Sequence, residues 1–282
     1  MTGCSVHSKK TSSEGPDGKS LAFVAESKKN TNIYLVNADG SGFRQLTDGQ
    51  AREDAPAWSP NGQQLVFESF QDQKWEIYTI NADGSGLARL TNDAAGDTNP
   101  AWSPDGKWIA YVSSRDGNAS LYIVHPDGSG LARITKGIAP ASDPVWSPDS
   151  QSVAFRSWPH SGIADICLIT LIGFQQNCFT ANVQTGVPAW SPDGRYLAFR
   201  SNVNQVWTIS VLNVSTAQLS YIPSKVAPSG DPVWAPDSLY IAFQGHSDNN
   251  MKIFYTDRVT KKVNLITQGI SASYNGDPAW AQ

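Results

Sequence analysis

The chain has 282 residues and a mass of 30.5 kDa, more than one ordinary core takes up, so two packed domains or one large barrel, propeller or solenoid is expected. Its 21 Lys and Arg stand against 25 Asp and Glu, a formal charge of −4, with basic blocks no longer than the pairs Lys9-Lys10, Lys28-Lys29 and Lys261-Lys262, which argues against sequence-unspecific binding of nucleic acid. Charged residues make up only 16%, while 10 Trp, 23 Gly and 17 Pro favour short strands and tight turns over a helix bundle or coiled coil.

At the N-terminus, Thr2-Gly3-Cys4-Ser5 resembles the end of a bacterial lipoprotein signal, where a Cys after small residues receives lipid. Cys4 is therefore a lipidation candidate, and residues 1–14 read as a polar tail, either a tether or a plain leader. No apolar run approaches the roughly 18 residues of a membrane helix and no apolar signal region precedes the folded part, so the chain reads as soluble, with membrane contact only through such a lipid.

From there an internal repeat decides the architecture. The phrase PAWSPNG begins at Pro56, PAWSPDG at Pro100, PVWSPDS at Pro144, PAWSPDG at Pro188 and PVWAPDS at Pro232, each 44 residues after the last. Stepping back the same distance reaches Ser12, where Pro16-Asp17-Gly18 matches but Ser12 to Gly15 replace PAWS. The first repeat thus lacks its opening strand, and the C-terminal Pro278-Ala279-Trp280-Ala281 consists of little else. The third unit shows the internal plan: a strand over Pro100 to Ser103, a turn at Pro104-Asp105-Gly106, strands over Trp108 to Ser113 and Leu121 to Val124, a glycine-rich hairpin over His125 to Gly130, and a fourth strand over Leu131 to Thr135. Four antiparallel strands in about 44 residues make one propeller blade. The expected fold is all-β: a six-bladed β-propeller of four-stranded blades over residues 15–282, with repeats starting near 12, 56, 100, 144, 188 and 232 and the first blade completed by a C-terminal strand at 278–282. Such closure hides two sheet edges.

Most chemical signals have structural explanations. The strand-opening Trp58, Trp102, Trp146, Trp190, Trp234 and Trp280 recur at one position, which suits packing between neighbouring sheets better than sugar stacking. Asn37 to Gly42 and Asn81 to Gly86 open like calcium loops but no bidentate Glu follows at the required distance. Gly18-Lys19-Ser20 ends like a phosphate loop, but Ser13 stands where that motif needs Gly. No G-x-S-x-G elbow is present, and His7, His125, His160 and His246 are dispersed without metal spacing. No metal site is assigned and no cofactor is expected. Cys167 and Cys178 fall in the third and fourth strands of the fourth blade, on one face and offset diagonally by about two residues. They are a disulfide candidate, with two buried free thiols as the alternative.

The Pro-Asp-Gly and Asp-Gly turns share one end of the blades and barely vary, whereas the opposite end carries loops that differ in every blade. A rigid scaffold presents function on such loops. Asn99, Asp143, Asp231 and Asp277 precede the strand-opening Pro, and at the channel mouth they are expected to meet a basic group or a cation such as calcium, unless they merely cap the turn. At the end of the second strands, Glu68, Arg156 and Arg200 take one equivalent position and Trp158 and His246 the position two further on. Residues two apart on a strand share a face, so Glu68, Arg156, Trp158, Arg200 and His246 are the candidate partner-binding set.

The repeat residues resemble the TolB-type propeller family, whose units read P-x-W-S-P-D-G, an I-A-F strand, an I-Y strand, D-G-x-x and a final L-T. Matches include Ile109-Ala110-Tyr111, Ile77-Tyr78, Asp83-Gly84 and Leu90-Thr91, and the resemblance covers residues 12–282. It implies a protein scaffold of the bacterial periplasm or cell envelope, and with no catalytic motif assembled the chain reads as a non-catalytic, monomeric protein-binding module. The alternatives are a small-ligand or glycan module at the channel mouth and, behind it, a polysaccharide lyase or hydrolase.

Overall fold

The computed structural model describes residues 12–266 apart from 17–19, 28–29, 138, 161–162, 180–183, 224–225 and 248–249. The described residues form six four-stranded antiparallel sheets in chain order and no helix, the six blades of a β-propeller. Contacts divide the chain into two compact units, residues 1–137 with 141–144, and residues 138–140 with 145–282.

Within each unit the central sheet packs against a sheet on either side, so its middle strands are buried on both faces. In the first unit Leu65 and Phe67 of the second sheet pack against Ala22, Ile33 and Leu35 of the first, while Val66 turns the other way onto Ile109 and Tyr111 of the third. In the second unit Leu197 and Phe199 meet Ala154 and Ile166, while Ala198 meets Ile241 and Phe243. The near-continuous apolar runs of the second and third strands follow from this two-sided burial.

The repeated phrase is accounted for residue by residue. Ser103 Oγ accepts the amide of Trp108 at 2.9 Å and donates to Asp105 Oδ1 at 2.7 Å, which in turn accepts the amide of Lys107 at 3.1 Å. Ser147 with Asp149 and Ser191 with Asp193 repeat these contacts. Gly106 and Gly194 then adopt φ of 71° and 70°, and Ser150 and Ser238 take the same left-handed conformation at 60° and 58° where the phrase ends in Ser. The final Thr is engaged in the same way, since the hydroxyls of Thr47, Thr91 and Thr135 accept the amides of Ile33, Ile77 and Leu121 at 3.0, 2.9 and 3.0 Å. Trp58, Trp190 and Trp234 donate their indole N–H to the carbonyls of Ser13, Val145 and Ala189, in the first strand of the preceding blade.

Two expectations need correction. The first repeat does not lack its opening strand: Ser12–Glu14 pairs antiparallel with Ser20–Ser27, with Ser13 opposite Ala22. Three residues of the expected tail therefore belong to the first sheet, and the closing strand at 278–282 lies outside the described residues. Nor are the two cysteines diagonal. Cys167 lies directly opposite Cys178 and the two are joined by a disulfide, with Cα atoms 4.0 Å apart. In the third and fifth sheets Ala110 pairs with Ile123 and Ala198 with Val211, yet Ala154 pairs with Leu168, because the register shifts between Ser157 and His160. A bulge of this kind adds one residue to a strand, so a strict 44-residue count misplaces both cysteines by one and their pairing by two.

Candidate functional site

The antiparallel order puts the Pro-Asp-Gly turn and the hairpin between third and fourth strands at one end of every blade, and the remaining loops at the other. At the turn end the Ser and Asp side chains of the repeat bond one another and the nearby amides. The loop end differs from blade to blade.

In the second unit this end carries arginines stacked on tryptophans. The Arg156 guanidinium lies 5.0 Å from the Trp158 ring centroid, and Arg200 lies 4.5 Å from that of Trp207. Their Nη1 atoms donate to the carbonyls of Thr185 and Ser229 at 3.2 and 2.7 Å. Each of these acceptors lies in the segment leading into the following blade. The arginines therefore tie successive blades together while keeping part of their surface in solvent, since all four Arg and Trp side chains are only half-buried. His246 is exposed at the end of its strand, opposite Met251.

Glu68 does not join this set. It is fully buried in the first unit, where its Oε2 accepts the amide of Asn99 at 2.8 Å. The equivalent position is thus a junction between blades in both units, filled by an acceptor in one and by donors in the other.

The residues before the strand-opening Pro separate in the same way. Ala55, Asn99 and Asp143 adopt φ of 51°, 55° and 54°, a conformation that Asn and Asp tolerate better than most residues. Asp143 is buried, and Ser142 Oγ donates to its Oδ2. Asp231 is half-buried, and its Oδ1 accepts the amide of Val187 at 3.1 Å. Asp277 and Cys4 lie outside the described residues.

Sequence reasoning missed the charged network at the loop end of the first unit. Arg115 Nη2 lies 2.6 Å from Asp93 and 3.3 Å from Asp97 and donates to the Tyr111 hydroxyl at 2.8 Å, with its guanidinium 4.6 Å from the Tyr122 ring centroid. Burial pushes the Asp97 carboxyl upward against the hydrogen bonds of Ser113 and Thr91. Burial and the contact with Asp116 push the Tyr122 hydroxyl up to about 12. Asp93 and Arg115 border a cavity of about 190 Å³ together with Thr91 and Leu131. Glu53, 44 residues before Asp97, is likewise buried; desolvation pushes its carboxyl up to about 7 although Thr47 donates to it. That shared spacing was the signal available in the sequence. Trp207 gave none, because it lies in the third strand of its blade, Val206–Asn213, outside the repeated phrase. Among the described residues no group of three His, Cys, Asp or Glu could hold a metal ion.

The TolB β-propeller domain family matches residues 11–155 and 127–282. The chain belongs to this family. Its fold is similar to TolB from Acinetobacter baumannii, with TM-score 0.66 and 16% identity over 88% of this chain and 63% of that one. A putative TolB from Agrobacterium tumefaciens matches with TM-score 0.63 and 21% identity over 81% of this chain and 86% of that one. Oligogalacturonate lyase from Vibrio parahaemolyticus matches with TM-score 0.74 and 16% identity over 93% of this chain and 77% of that one. The chain spans less than two thirds of the Acinetobacter protein, and identities at this level report the propeller alone. No protein of curated function matches the sequence.

Proposed function

We propose that this TolB-family propeller is a non-catalytic scaffold of the bacterial envelope that binds a protein through the loop ends of its second unit. The observation that carries this reading is the pair of half-exposed Arg-on-Trp stacks, Arg156 on Trp158 and Arg200 on Trp207, each pinned to a backbone carbonyl of the following blade. Trp and Arg are the residues most enriched where binding energy concentrates, and prior pinning lowers the entropy lost on association. The disulfide between Cys167 and Cys178 supports export, since such bridges persist in oxidising compartments.

The test compares proteins crosslinked from envelope extract by the intact chain and by a Trp158→Ala, Trp207→Ala variant with an unchanged melting curve. A protein retained by the first and lost by the second supports the reading. Equal capture by both, or turnover of a polysaccharide by the purified chain, contradicts it.

A further inference from the structure

Within the first unit, the junction of the second and third blades departs from the repeat at one buried position. In steps of 44 residues the second strands carry Phe23, Phe67, Tyr111, Phe155, Phe199 and Phe243, so the third blade alone has a hydroxyl there. Tyr111 is fully buried and lines the cavity of about 190 Å³. The apolar walls of that cavity are Leu90 from the end of the second blade and Val124 and Leu131 of the third, and its polar end is formed by Asp93 and Arg115. Arg115 has no counterpart either, since Ser27, Gln71, Pro159, Val203 and Ser247 stand in its place in the other repeats. Asn92 and Leu131 line the same space and are exposed, so it opens to solvent.

Arg115 decides what the Tyr111 hydroxyl can do. Its Nη2 donates to the phenol oxygen at 2.8 Å, and the phenol's own proton has no acceptor among the described residues. Burial pushes this hydroxyl upward, so it keeps the proton and remains a donor. A buried donor left without an acceptor is costly, and the cavity that Tyr111 lines has room for one. Charge excludes two classes of ligand. Asp93 and Asp97 lie 2.6 and 3.3 Å from the same Arg115 Nη2, so an anion would meet two carboxylates against one guanidinium. An ammonium would meet Arg115, and both oxygens of Asp93 are already engaged, Oδ1 by the amide of Ala95 at 2.8 Å and Oδ2 by Arg115. A neutral oxygen accepts the Tyr111 proton without either conflict. An apolar cavity of about 150 Å³ holds one benzene molecule, so a cavity of about 190 Å³ admits a six-membered ring bearing one oxygen.

We propose that this cavity binds a small neutral molecule with an apolar ring or chain and one acceptor oxygen, the oxygen on the Tyr111 hydroxyl and the apolar body against Leu90, Val124 and Leu131. The site belongs to the first unit and does not rest on the scaffold reading above. The probe is cyclohexanone, titrated into methyl-labelled protein while the Leu90 and Val124 methyl resonances are followed, each assigned by its loss in Leu90→Met and Val124→Ile. Benzene, cyclohexanecarboxylate and cyclohexylammonium are titrated in parallel. A saturable shift of both methyl groups with cyclohexanone is expected, with a dissociation constant raised about 2–10-fold in Tyr111→Phe, as for one hydrogen bond. Affinity for benzene should be the same in that variant, which restores the residue of the other five repeats and is checked for an intact unfolding transition. Leu131→Trp, which enlarges an exposed wall of the cavity, should abolish the shift and provides a second variant at the surface. No response to cyclohexanone means that the space holds water only and overturns the proposal. An affinity unchanged in Tyr111→Phe, binding retained in Leu131→Trp, or an equal response to the carboxylate or the ammonium overturns it as well.

Discussion

Trp190 donates its indole N–H to the carbonyl of Val145 at 3.1 Å, and Trp234 does the same to Ala189 at 3.0 Å, so that both strand-opening tryptophans close one hydrogen bond onto the blade before them, a bond that Trp102 Nε1 does not make. Trp58 repeats the contact with Ser13 at 3.1 Å. A ring that is half-buried and hydrogen-bonded at a fixed position is a structural fastener rather than a sugar platform.

Trp190→Phe keeps the apolar ring and removes this single donor. A loss of about 1–2 kcal/mol is expected in urea unfolding, with the loop-end contacts of Arg200 unaltered. No change in the midpoint would mean that the bond contributes nothing beyond packing.

Glu53 makes stability depend on pH in a defined direction. Burial raises its carboxyl from 4.5 to about 7 in the folded chain, with the Thr47 hydroxyl opposing the shift. Below pH 4.5 both folded and unfolded chains hold the proton. Between 4.5 and about 7 only the folded chain still does, so its contribution to stability falls as pH rises through that window and is level above it. Glu53→Gln should flatten that part of the profile, which a series of urea melts from pH 4 to 8 would read.

The repeat and its turns were legible because their chemistry is local. Ser103, Asp105 and Gly106 lie close in sequence and bond to one another or to Lys107 and Trp108, so spacing alone reports their roles. The disulfide register was not legible, since one residue added between Ser157 and His160 alters every later pairing in that sheet. The candidate site was read in part. Arg156 stacks on Trp158, and Arg200 repeats the bond of Arg156 to the following blade, but Glu68 occupies the equivalent position as a buried acceptor. Whether such a position faces solvent or the next blade depends on packing between sheets, which a period of 44 residues does not encode. Ser12–Glu14 was missed because it keeps the strand geometry without the Pro-Ala-Trp side chains that marked the others.

Gly106 has φ of 71°, and a Cβ there would sit in ordinary van der Waals contact with Pro60 at 3.8 Å. Gly106→Ala therefore carries a backbone cost without a clash, about 1 kcal/mol. Thermal unfolding of this variant measures the demand of the turn separately from its packing.

The disulfide joins the buried Cys167 to the exposed Cys178 on the fourth strand of its blade and spans 11 residues. Removing it with Cys167→Ala and Cys178→Ser should cost about 1–3 kcal/mol, given the short loop it closes. Hydrogen exchange should show faster exchange at 176–179 than in the oxidised protein, and equal protection there would contradict a role for the bridge in holding this strand.

The central claim, that a protein partner sits on the loop ends of the second unit, is tested most directly by site-specific photocrosslinking. A photoreactive residue at Gln205, exposed in the hairpin beside Trp207, is compared with one at Thr216, exposed at the opposite end of the same blade. The account predicts a discrete protein adduct from position 205 in bacterial envelopes and none from 216. An adduct from 216 alone, or no protein adduct from either position, would contradict it.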